Sequence, residues 1–245
     1  MSAEEQDDDA PAAVAGSPPT LSATDLEAWL STPRLDTYLF RCGGDAPLAL
    51  ELYRWNSQLA AAALTDTCHL EVALRNAYDR QMAQQFPDWS VDPASQLFTR
   101  TQGHGRAVTK QISLNTGSQR ALNDAKRGLG AHPSHGKVVA ATTFGFWTKL
   151  TDRDRTATFW TPMLRHAFNG SPTRGEVHER VARVNKFRNR LAHNEPVFSS
   201  SSGLHDRMRD VDDLFTWVAP TAAAYVRATS TVPSLLAQCP VPGLL

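Results

Sequence analysis

The chain has 245 residues, with 25 Lys or Arg balanced by 25 Asp or Glu, so its formal net charge is zero. Its 41% hydrophobic content can fill a core in one or two domains, and the charge balance excludes a uniformly basic nucleic-acid coat but not a local basic cleft. The three cysteines, Cys42, Cys68 and Cys239, show no metal-ligand spacing and cannot all pair, which points to a reducing cytoplasm and to no metal or cofactor.

Residues 1–23 are acidic, then rich in Ala, Pro, Ser and Thr, and are expected as a disordered acidic tail. They lack the positive region and apolar stretch of a signal peptide. The longest apolar run, Leu59 to Leu64, is far too short for a bilayer, so no membrane partner is expected. Residues 24–236 are expected as one helical domain and residues 237–245 as a C-terminal tail.

Leu26, Trp29 and Leu30 have helical spacing, which Pro33 ends. Leu35, Tyr38 and Leu39 come next, then Gly43 and Gly44 break the chain. Asp45 is a candidate cap for the next helix, with Pro47 in its first turn. From Leu48 to Gln85 there is no Gly or Pro. Leu48, Leu52, Trp55, Leu59, Ala62, Leu70, Ala73 and Ala77 keep a stripe of threes and fours, interrupted at Asp66. That pattern predicts one very long helix or two nearly continuous ones.

Between Gln96 and Lys137 the bases Arg100, Arg106, Lys110, Arg120, Lys126, Arg127 and Lys137 face a single acid, Asp124. The glycines of this stretch predict short helices and loops. His132 and His135 lack a second pair of ligands and read as loop residues. Val138 to Leu150 predicts one buried helix whose Phe144, Phe146 and Trp147 belong to the core. Thr173 and Glu176 form a capping-box pattern that opens a helix with Val177, Val181, Val184 and Leu191 on one face. Pro196 disfavours helix at Glu195, so this helix stops near His193 or Asn194. Further helices are predicted from Leu204 to Val218 and from Pro220 to about Ala228. Alternating strand patterns are scarce, and the fold class is all-α.

The chemistry-bearing segment is Arg188-Asn189-Arg190-Leu191-Ala192-His193, in the last turns of the helix begun at Thr173. Asn189 and His193 share a helix face, whereas Arg188 lies about 140° round from His193. A single helix therefore does not aim both side chains at one point. Two copies packed across a two-fold axis could converge both pairs on one cleft, which argues for a homodimer. Attack of an RNA 2′-hydroxyl on the adjacent phosphorus needs proton transfer and a cation for the phosphoryl charge. A histidine can do the first and an arginine fork the second.

Arg, a polar residue, then His is the motif of HEPN domains, and the wider sequence resembles their Abi-like branch, named for abortive infection of bacteria by phage. The blocks that carry the resemblance are Leu52-Tyr53-Arg54-Trp55-Asn56, Leu70-Glu71-Val72-Ala73-Leu74-Arg75-Asn76, Phe144-Gly145-Phe146-Trp147, and Phe187-Arg188-Asn189-Arg190-Leu191-Ala192-His193-Asn194-Glu195-Pro196. They occur in order over roughly Leu26 to Leu236. The resemblance implies a HEPN-like helical bundle with two long framing helices, usually dimeric, and a metal-independent endoribonuclease of a toxin-type defence system. It maps Arg188, Asn189 and His193 onto the catalytic motif and Glu71, Arg75 and Asn76 onto the facing helix, these three and Glu195 being the expected supporting residues of the site. One HEPN branch carries a Tyr two residues after the His, where this chain has Glu195, which sets it apart from regulation by that branch's partner. An antitoxin or a regulatory RNA is a candidate partner.

For Glu71 and Arg75 the plain alternative is an i,i+4 ion pair. Arg183, Lys186 and Arg190, with Arg120, Lys126 and Arg127, are the expected RNA-phosphate contacts. The rival function is a non-catalytic RNA-binding module that holds a structured RNA.

Overall fold

The computed structural model describes residues 21–198 and 203–244. The expected disordered tail falls almost wholly outside the described residues. Among those described there are ten α-helices and no strand, so the all-α class holds. None of these helices is long and apolar enough to cross a membrane.

The chain divides into two compact units, one ending at Leu50 and the other beginning at Glu51. The first holds α1 (Ala23–Leu30), α2 (Thr32–Arg41) and the opening turn of α3 (Ala46–Ala83). Ser22 and Asp25 form a capping box at the start of α1, and the hydrogen bonds from Ser22 hold the Asp25 carboxyl below its ordinary range. Pro33 does not simply end α1: it sits in the first turn of α2, where its missing N–H costs nothing. Leu26, Leu30, Leu35 and Tyr38 are buried, but Trp29, expected on the same stripe, is exposed. The Asp45 carboxylate accepts the Leu48 N–H at 3.0 Å, as a cap should.

The second unit contains the rest of α3, then α4 (Arg106–Arg127), α5 (His135–Ala141), α6 (Phe144–Leu150), α7 (Arg174–Ala192), α8 (Leu204–Val218), α9 (Pro220–Thr229) and α10 (Val232–Ala237). α3 is a single unbroken helix of 38 residues. Leu70, Leu74, Tyr78 and Met82 from its second half are fully buried in a core shared with Trp147 and Leu150 of α6, Val177, Val181 and Val184 of α7, and Leu214 of α8. Phe146 stacks on Trp89 at 6.1 Å and meets Trp147 edge-on at 4.9 Å, so the aromatic run is core, as expected.

Three expectations are corrected. Residues 106–127 form one 22-residue helix and not several short ones. Gly117 lies inside it, because an interior glycine costs only about 1 kcal/mol. The helix is fastened by amide side chains that bond the backbone of the preceding loop. Gln111 Nε2 donates to Gln102 O at 3.0 Å and Asn115 Nδ2 to Arg100 O at 3.0 Å. Residues 138–150 are two helices, separated where Thr142 and Thr143 turn extended and Thr142 Oγ1 donates to Val139 O at 2.7 Å. His135, expected in a loop, is the first residue of α5. Its Nδ1 lies 2.7 Å from Ser90 Oγ and its Nε2 2.9 Å from Asp79 Oδ1.

Candidate active site

The capping box expected for α7 is present, with Thr173 Oγ1 accepting from the Glu176 N–H and the Glu176 carboxylate accepting the Thr173 N–H at 2.8 Å. Those bonds hold the Glu176 carboxyl below its usual range. Val177, Val181, Val184, Phe187 and Leu191 bury one face of the helix. That choice leaves Arg188 half-buried at the margin and Asn189 exposed. α7 ends at Ala192 with His193 as its cap, and the His193 N–H donates to Asn189 O at 3.1 Å. Asn194 then adopts a left-handed φ of 51°, and the Glu195 N–H returns to Arg190 O at 3.0 Å, satisfying a terminal carbonyl.

The segment after α7 is strapped to α3 by asparagines. Asn56, fully buried, accepts the Val197 N–H at 2.8 Å and donates to Asn194 Oδ1 and to Glu195 O, both at 3.4 Å. Asn194 Nδ2 donates in turn to Ser57 Oγ at 2.9 Å. The strap fixes where the helix ends and so where His193 stands.

A cleft of about 480 Å³ opens beside α7. Its walls are Glu71 of α3, the corner formed by residues 140–145, and Asn185, Arg188 and Asn189 of α7. Arg188 Nε is 3.7 Å from Glu71 Oε2, an ion pair outside hydrogen-bond range. Among the described residues this buried Nε has no hydrogen-bond partner. Burial pushes the Glu71 carboxyl above its ordinary value, and the charges of Arg188 and Arg75 oppose that shift. The cleft therefore presents an arginine with unused donor capacity beside an acid that holds its proton to higher pH than an exposed glutamate. That pairing suits an anionic ligand undergoing proton transfer.

Arg75 does not form the i,i+4 pair with Glu71 within ion-pair distance; its Nη1 donates to Ala140 O at 3.2 Å, at the cleft corner. Asn76 is exposed and does not line the cleft. His193 is exposed and does not line it either, so one chain brings Arg188 and Asn189 to the cleft but not His193. Glu195 is ion-paired to Arg190 at 2.8 Å.

None of the six expected RNA contacts lines the cleft. Arg183 is held in a forked pair by Asp210, at 2.8 and 2.6 Å, which pushes its guanidinium pKa further up. Arg127 is paired with its neighbour Asp124. Lys186 and Arg120 are exposed, and Lys126 is half-buried in the last turn of α4.

Sequence reasoning did not single out Asn185. Its signal was available, since 185, 188 and 189 follow the i, i+3, i+4 pattern of one helix face. No model of a known protein family matches the chain, and no curated protein or solved structure matches it.

Proposed function

We propose that the chain is a metal-independent endoribonuclease of a bacterial abortive-infection system, acting in the HEPN manner. The observation that carries this reading is Arg188, which lines the cleft with its side chain 37% exposed and makes no side-chain hydrogen bond to the described residues, Glu71 standing 3.7 Å away. A phosphate oxygen is the natural acceptor for that fork. The RNA 2′-hydroxyl attacks the adjacent phosphorus, the P–O5′ bond breaks, and the 5′-oxygen takes a proton. The products are a 2′,3′-cyclic phosphate and a 5′-hydroxyl. Arg188 stabilises the phosphoryl charge, His193 transfers a proton, and Asn189 positions the substrate or the histidine. Glu71 supports the site from α3 beside Arg188, and Arg75 supports it through its bond to Ala140 O at the cleft corner. The exposed position of His193, outside its own chain's cleft, supports a homodimer in which the histidine comes from the other copy.

Mixing inactive Arg188→Ala and His193→Ala chains tests that arrangement. Mixed dimers join an intact arginine to an intact histidine, so cleavage recovers to about a tenth of wild type or more after subunit exchange. Recovery no greater than either variant alone rejects the shared site.

The same position of His193 favours the second reading, an RNA-binding module without catalysis. In that case His193→Ala leaves both RNA affinity and any cellular effect unchanged.

A further inference from the structure

α8, α9 and α10 close around a second cavity, of about 280 Å³, to which α3 contributes one residue, Asp66. The wall is apolar, built from Leu204, Val211, Phe215, Val226, Val232 and Leu236. Asp66 is the residue that interrupts the apolar stripe of α3, and it is only 8% exposed. Ser230 Oγ donates to Asp66 Oδ2 at 2.6 Å, while Oδ1 takes no hydrogen bond from the described residues. No basic side chain among the described residues forms an ion pair with it. At the rim Arg227 is already paired with Asp212 at 2.6 Å, so that pair is neutral. The rim histidine, His205, is exposed. The acid thus has no ion-pair partner among the residues that line the pocket; burial pushes its carboxyl up, opposed by the Ser230 hydrogen bond and by the charge of His69, which lies outside the lining.

We propose that this cavity binds a small amphipathic amine, its apolar body against the α8–α10 wall and its ammonium on Asp66. An ammonium supplies both the missing donors and the missing charge. The volume lies at the small end of ligand pockets and suits a fragment-sized molecule. The same carboxylate repels phosphates, and the pocket shares no lining residue with the cleft beside α7.

A purely structural role is the rival. Ser230 Oγ also accepts the Val232 N–H at 3.2 Å, so Asp66 could serve only to set the corner between α9 and α10. Calorimetric titration of the full chain with hexylamine, 1-hexanol and hexanoate separates the two. The proposal predicts that hexylamine binds about tenfold tighter than hexanol, with hexanoate weakest. Asp66→Asn reduces the amine to the level of the alcohol, and Val226→Trp, which fills the pocket, abolishes both. Equal binding of amine and alcohol by wild type, binding of neither, or an amine preference that survives in Asp66→Asn overturns it. Should Asp66→Asn not fold, the wild-type amine-to-alcohol ratio and Val226→Trp decide.

Discussion

Arg188 and Glu71 face each other across the cleft at 3.7 Å, each half-satisfied by the other. Because burial raises the folded-state pKa of Glu71, the folded protein binds its proton more tightly than the unfolded chain does. Stability contributed through this group is therefore greatest at low pH and is lost as pH rises from the unfolded value through the folded one. Glu71→Gln should flatten that part of the pH profile, measured by urea unfolding at steps from about pH 4 to about pH 7. An unchanged profile would show that Glu71 is not the buried acid of the cleft. Arg188, Asn189 and Glu71 were legible from spacing and resemblance. The destination of Arg75 was not, because a backbone carbonyl such as Ala140 O leaves no side-chain signature. Asn56 and Asn194 carry no signal of their own in the sequence, because their strap depends on residues 138 positions apart meeting in space.

Hydrophobic periodicity located α3, α7 and α8 because each buries an apolar stripe. It missed the length of α4 for a physical reason. The buried face of that helix includes Gln111, Asn115 and Ser118, whose polar side chains look solvent-facing in a sequence. Asn115 Oδ1 and Ser118 Oγ accept bonds from Arg155 Nη2, and this fully buried arginine lies over Phe159 at 4.6 Å. Burial lowers the pKa of Arg155 to about 10. Gly117 sits between Asn115 and Ser118 with open space where a Cβ would point. Gly117→Ala should therefore stabilise the protein by about 0.5–1 kcal/mol in chemical denaturation. Destabilisation would mean that α4 is not continuous through this point.

Across the second unit, the basic character that the sequence assigns to α7 is largely answered by α8. Asp210, only 7% exposed, holds Arg183 and is also bonded by Arg207 at 2.8 Å, while Arg180 lies 3.5 Å from Asp213 and over the Trp217 ring. A linear charge count cannot see such pairing, since the acids lie on the next helix. Lys186 and Arg183 should consequently behave differently. Lys186→Ala should weaken RNA binding and reduce the slope of log affinity against log salt by about one counterion. Arg183→Ala should leave that slope unchanged and cost about 1 kcal/mol of stability, since Arg183 is 38% exposed and Arg207 still holds Asp210. Equal effects on the slope would place Arg183 on the RNA surface after all.

Metal-independent cleavage by Arg188 and His193 is tested in one assay. Total cellular RNA is incubated with purified full-length chain in EDTA, beside Arg188→Ala and His193→Ala variants matched for folding. Wild type should release discrete fragments ending in 2′,3′-cyclic phosphate and 5′-hydroxyl, with each variant slower by about 100-fold or more. Cleavage that appears only with a divalent metal, or that persists undiminished in both variants, would contradict it.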